Sequence, residues 1–377
     1  MKIENKRQWI GELFFLLGTI LYITYYFFYI AYCWYVEKDP TRQMPVQRLF
    51  YIGLICFVVK IILTKYQWKE VIIGAVGAVL MYLCWKSSGG IDYPANYLII
   101  LAMKDVDLKK VMKAVFACGF VGLSYGFTWF FVNAPDKLTT VKDYGRGMIE
   151  VRYKFCTWHA NTIHLMIMVL IVSFLYAYYK KMKWWAFAIM FYFNYEFYQL
   201  SKSRTAFYCG SAAIIAYFIL RYARKIYEFK ISLILLEVGN LVGIFLSIYY
   251  GLYSQLTDPT FMRLDQLITG RLTVARNCFL EAGIPLFGSN IGGKVCGYGI
   301  YTQANDGYVT ELGIVRTLLE YGPIVFGLFC AFMLIAVWVL YKKGYFGAMV
   351  LLEIGFIACG VEAYFPAAYN LKDFVFG

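Results

Sequence analysis

Apolar runs close to the thickness of a bilayer recur from one end of the chain to the other, and this repetition limits the fold more than any other feature. The runs are Trp9 to Tyr35, Leu49 to Leu63, Val71 to Trp85, Tyr93 to Met103, Ala114 to Val132, His159 to Tyr179, Trp184 to Leu200, Thr205 to Leu220, Ile231 to Tyr250, Thr317 to Leu340 and Phe346 to about Tyr364. A helix needs about 20 apolar residues to cross the hydrocarbon core, and inside lipid only helices and closed barrels satisfy every backbone polar group. The expected fold is all-α: one polytopic membrane domain over residues 1–377 with about eleven transmembrane helices, the fourth too short to cross alone.

Composition supports this. The chain is 61% apolar and 20% aromatic but only 16% charged, with mean hydropathy +0.59, whereas a soluble domain carries about 25% charged residues. A soluble enzyme, a disordered tail and a DNA-binding domain are excluded. The first run is longer than a signal-peptide core of about 7 to 15 residues and no small-residue cleavage site follows it, so it reads as a retained span. The 10 cysteines are scattered without a Cys-x-x-Cys pair, which argues against a disulfide framework or a metal knuckle.

The net charge of +13 gains meaning when sorted by side. With the N-terminus in the cytoplasm, the inner segments hold eighteen Lys and Arg residues and the three short outer loops hold six, as the positive-inside bias requires. Two outer loops are longer than connectors need to be: 133–158 and 251–316. They carry nine basic residues, among them Arg152, Arg271 and Arg276. Long loops cross regardless of charge, which permits these residues. Gathered at an outer mouth, they suit a substrate bearing phosphate or carboxylate.

Several side chains are candidates for chemistry, each with an ordinary alternative. His159 and His164 are the only histidines; five helical residues apart they differ by about 140°, so they form no metal pair. His159, at a span entrance, is either a hydrogen-bonded interfacial group or a neutral base; His164 reads as structural. Arg204, in the turn Ser201-Lys-Ser-Arg204, either snorkels to headgroups or, with the Ser203 hydroxyl beside it, holds a phosphate. Leu267 to Ala282 reads as one helix stopped by Gly283 and Pro285. If the helix is regular from Leu264 onward, Arg271 shares a face with Leu264, Ile268, Ala275 and Cys278, and Arg276 lies about 140° away. Arg271 then pairs with Asp265 or Glu281, or with a substrate pyrophosphate. Asp306 is either a helix cap or an acceptor for the proton of an attacking hydroxyl. Arg316 and Glu320 have the spacing of an intrahelical pair.

Taken in order, Arg152 through His159-Ala-Asn161, Ser203-Arg204-Thr205, Thr269-Gly-Arg271, Pro285-Leu-Phe-Gly288, Asp306-Gly-Tyr308 and Leu319-Glu-Tyr-Gly322-Pro-Ile-Val-Phe-Gly327 resemble the bacterial O-antigen and capsule polymerases, relatives of the O-antigen ligases. Glu362 and Asn370 resemble the family's ending. The resemblance covers the second half by motif and the first half by hydropathy alone. It implies a GT-C-like membrane glycosyltransferase, without metal or other cofactor, at the outer face of a bacterial plasma membrane. The implied reaction moves a glycan from a polyprenyl diphosphate to a sugar hydroxyl of a new lipid-linked repeat unit. On that pattern Arg204, Arg271 and Arg276 bind the donor diphosphate, and Arg152, Asn161, Ser203 and Tyr308 belong to the substrate site. The base is Asp306 or His159, because ligase relatives carry a histidine where this chain has Asp306.

The implied partners are the lipid-linked donor and acceptor and the bilayer, with a chain-length regulator or other export proteins as further candidates and no nucleic acid. Two other functions fit the composition: a flippase for the same lipid-linked glycan, and ligase-type transfer to another acceptor. Transporters place ionisable groups near the midplane on broken helices, whereas these basic residues gather in loops and turns.

Overall fold

The computed structural model describes residues 3–36, 40–89, 91–133, 135, 138–143, 149–155, 157, 160–255, 257–268, 270–291 and 312–361. They form α1 (Ile3–Val36), α2 (Pro40–Leu63), α3 (Trp68–Ser88), α4 (Asp92–Ala102), α5 (Leu108–Asn133), β1 (Thr139–Asp143), β2 (Ile149–Tyr153), α6 (Ala160–Tyr178), α7 (Trp184–Ser201), α8 (Arg204–Tyr222), α9 (Lys225–Glu228), α10 (Lys230–Ile248), α11 (Pro259–Leu267), α12 (Arg271–Ala282), α13 (Gly313–Lys342) and α14 (Phe346–Val361). This is an all-α membrane protein with one added hairpin. Among the described residues seven helices are long and apolar enough to cross a membrane: Lys6–Phe27, Trp68–Ser88, Leu108–Asn133, Ala160–Lys181, Arg204–Tyr222, Lys230–Tyr253 and Gly313–Lys342. The other four apolar runs of the sequence form α2, α4, α7 and α14. Of these α4 has 11 residues, about half the length a crossing needs.

The described residues pack as two compact units, those within 1–68 and 98–224 and those within 69–97 and 225–370. In the first, small residues let helices approach, as they do where lipid supplies no hydrophobic drive between helices. A Cβ on Gly18 of α1 would lie 3.1 Å from the Gly53 carbonyl of α2, and one on Gly119 of α5 would lie 2.6 Å from Leu170 of α6. Lys60 is buried in α2, and its ammonium donates to Thr64 Oγ1 at 2.8 Å and to the Lys104 carbonyl at 2.9 Å. This satisfies a charge that would otherwise be costly there. Helix α6 is buried along nearly its whole length and is the centre of the unit. Within 133–158, read from sequence only as a loop, β1 pairs antiparallel with β2 in the register Thr139↔Tyr153 to Asp143↔Ile149.

In the second unit α11, α12 and the start of α13 share a core of Phe261, Leu272, Val274, Ala275, Cys278, Leu312, Val315, Leu318 and Leu319. Helix α10 ends in a π-helical turn, Tyr249–Tyr253, which packs against α12. Helix α13 is broken at Gly322, whose φ of 82° and ψ of 170° are not helical, and Pro323 follows. The piece 323–342, about 30 Å long at ~1.5 Å per residue, suffices to cross the hydrocarbon core. The piece 313–321 packs against α12. The arginine-bearing helix is thereby held beside the break in α13.

Candidate functional site

In the first unit one end gathers four of the sequence candidates. Helix α7 stops because Lys202 takes the left-handed conformation (φ 54°) and its N–H closes on the Tyr198 carbonyl at 2.7 Å. Two residues later α8 begins at Arg204, with Ser203 as its N-cap. Ser203 does not cap in the usual way. Its hydroxyl makes no bond to the helix amides, and the Ser203 side chain is buried with Oγ lacking any hydrogen-bond partner among the described residues. The first amides of a 19-residue helix and a half-buried Arg204 beside it make an N-terminus suited to an anion.

Beneath the turn lies a buried polar cluster. His164 of α6 meets Ser201 Oγ through Nδ1 at 2.9 Å and Asn194 Oδ1 through Nε2 at 3.0 Å. Asn161 is one helical turn nearer the start of α6, level with the α7 to α8 turn. Arg152 is buried on β2, where its Nε and Nη2 both reach Glu150 Oε2, at 2.9 and 2.6 Å. The two share a strand face because side chains two residues apart point the same way. The strand leads to Phe155, whose ring lies 6.3 Å from that of Phe197, one turn before Ser201. Arg152, Asn161, Ser203 and Arg204 thus belong to the same end of the unit.

In the second unit the two arginines stand on α12. The single helix expected from Leu267 is a break between two: Gly270 at φ 83° separates α11 from α12, which starts at Arg271. Asp265 makes the break stable by accepting the Leu272 and Thr273 amides on Oδ1, at 2.8 and 3.2 Å, and the Thr273 hydroxyl on Oδ2. Its carboxylate therefore serves the N-terminus of α12. On the shortened helix Arg271, Ala275 and Cys278 still share the buried face, whereas Leu264 and Ile268 fall before the break. Arg276 is half-buried, and its Nε and Nη1 are enclosed without any hydrogen-bond partner among the described residues. The stop at Gly283 (φ 64°) is as the sequence indicates.

No family profile, curated protein or solved structure matches the chain. The chemistry of the two helix ends therefore has to be argued from the residues themselves.

His159, Asp306 and Tyr308 lie outside the described residues. Arg316 Nε and Glu320 Oε2 are 2.6 Å apart, the intrahelical pair their spacing indicates. Among the described residues no three His, Cys, Asp or Glu side chains gather as a metal site would require. Sequence reasoning passed over Asn194 and Ser211 and set His164 aside. Their one signal was polarity within otherwise apolar spans.

Proposed function

We propose that the chain is a polysaccharide polymerase, a membrane glycosyltransferase that moves a glycan from its polyprenyl diphosphate to a sugar hydroxyl of a new lipid-linked repeat unit. The observation that carries this reading is Arg276, whose Nε and Nη1 are enclosed without partners among the described residues on the helix that also buries Arg271, beside the break in α13. An enclosed guanidinium nitrogen left without an acceptor costs free energy. A diphosphate supplies acceptors in the planar geometry that arginine binds best.

As the bond between the sugar and its phosphate oxygen breaks, negative charge grows on the diphosphate and arginine stabilises it, a role that the family resemblance gives to Arg204, Arg271 and Arg276. The acceptor oxygen bonds to the anomeric carbon and gives its proton to the base, Asp306 or His159. Arg152, Asn161, Ser203 and Tyr308 complete the substrate site. In this reading α2, α4, α7 and α14 bring the membrane segments to about eleven, the N-terminus is cytoplasmic, and the substrate site is extracytoplasmic, at a bacterial plasma membrane. No metal or cofactor takes part. The partners are the two lipid-linked glycans, the bilayer and proteins of glycan export. In cells, Arg271→Lys should reach the membrane at the normal level yet make no polymer; a full-length glycan ladder from that variant contradicts the assignment.

A flippase for the same lipid is the second reading, favoured by the break in α13 and by a buried contact between spans. Asn240 Nδ2 of α10 donates to Glu353 Oε1 of α14 at 3.0 Å. Glu353→Gln keeps an acceptor for Asn240 but removes a titratable group. Chain growth should survive it under the polymerase reading, whereas its loss together with lipid movement favours proton-coupled transport.

A further inference from the structure

The hydrogen bonds beneath the α7 to α8 turn have a direction that the residue types fix. The Phe207 carbonyl can only accept, so Asn194 must present Nδ2 to it, at 3.0 Å, and the same nitrogen donates to Ser211 Oγ at 3.0 Å. Asn194 Oδ1 then faces His164, so Nε2 carries a hydrogen, and in the neutral imidazole, which has one, Nδ1 is bare. The bare Nδ1 accepts the Ser201 hydroxyl. With its hydrogen committed, Ser201 Oγ turns a lone pair to the Ser203 amide, which donates to it at 3.2 Å. The chain of bonds runs from the carbonyl of one helix, through a neutral histidine, to the amide of the residue before Arg204.

The site is built to hold this chain. His164, Asn194 and Ser201 are all fully buried. Asn194 fits between α7 and α8 only because position 210 is glycine: a Cβ there would lie 2.9 Å from Asn194 Oδ1. The turn it fixes is a conformation that the backbone does not favour, since Lys202 sits at a positive φ of 54°, where its Cβ crowds the following carbonyl oxygen. Left to itself, the turn has other conformations available, and Arg204 would move with it.

We infer that His164 is a positioning residue for Arg204, acting through Ser201 and the Ser203 amide to fix the guanidinium where an anionic phosphate binds. This rests on the reading of Arg204 as a diphosphate ligand. It assigns to the buried histidine a task separate from that of His159, the candidate base.

The test uses the full chain in detergent with farnesyl diphosphate as probe, its affinity measured by calorimetry for wild type, Ser201→Ala, Ser201→Thr, His164→Leu, Arg204→Ala and the double variant Ser201→Ala/Arg204→Ala. Ser201→Ala and His164→Leu should each weaken binding about tenfold, and Ser201→Thr, which keeps the hydroxyl, should restore it. In the Arg204→Ala background Ser201→Ala should have no further effect, because its influence passes through the arginine. A merely structural cluster would instead weaken the probe equally in both backgrounds, and that result overturns the inference. Should His164→Leu fail to fold, the Ser201 variants decide alone. If Arg204→Ala binds as tightly as wild type, or wild type does not bind, the diphosphate reading of this turn falls and the inference with it. If Arg204→Ala loses affinity while Ser201→Ala does not, the inference alone fails.

Discussion

The Ser289 amide donates to the Leu319 carbonyl at 3.0 Å, taking the place of the helical donor that Pro323 lacks. A proline inside a membrane helix is tolerated when the carbonyl four residues earlier finds another partner. Here the segment Pro285 to Ser289 provides it, held by Ser87 Oγ donating to the Gly288 carbonyl at 2.6 Å. The backbones meet so closely that a Cβ on Gly288 would lie 2.0 Å from the Glu320 carbonyl oxygen and one on Gly322 would lie 2.3 Å from that of Leu286. Both glycines also have positive φ, so Gly288→Ala and Gly322→Ala should each cost about 3 kcal/mol of stability. Gly239→Ala, with open space around its Cβ, should cost nothing measurable. Chemical unfolding of the detergent-solubilised chain compares the three.

Arg276 sets stability against activity. Its enclosed nitrogens lack partners among the described residues, so Arg276→Met should raise stability by about 1 kcal/mol while abolishing polymer synthesis. A variant that is less stable yet active would show that the arginine serves the fold and not the substrate. Thermal unfolding and a glycan gel on the same preparations read the two effects.

Lys202 tests the turn itself. Glycine adopts the left-handed conformation without a Cβ clash, so Lys202→Gly should stabilise the protein by about 1 kcal/mol, and Lys202→Ile should destabilise it by at least as much. Equal melting temperatures for the two variants would mean that the turn is not held at positive φ.

The membrane character was legible because lipid leaves a backbone few options, and a run such as Ile231 to Tyr250 has no other use. The Ser201 to Arg204 turn was legible for the same reason, as a short polar interruption between two spans. The break in α13 was not, although Gly322 and Pro323 stand together in the sequence. The partner that stabilises the break is Ser289, 30 residues earlier, and no local pattern names it. His164 was set aside on similar grounds, since Asn194 and Ser201 lie 30 and 37 residues away. The early start expected for α12 failed because Asp265 captures its first amides across the Gly270 break, a contact that periodicity does not encode. The β1 to β2 hairpin lay in a stretch whose basic residues drew attention away from the alternation in Ile149 to Tyr153.

The central claim is chain growth on a lipid diphosphate, and it is tested most directly in liposomes holding only the purified chain and a polyprenyl-diphosphate-linked repeat unit extracted from the host membrane. The account predicts a ladder of longer glycans with release of the polyprenyl diphosphate, absent from Arg271→Lys liposomes. Movement of the lipid between leaflets with no ladder and no carrier released would contradict it.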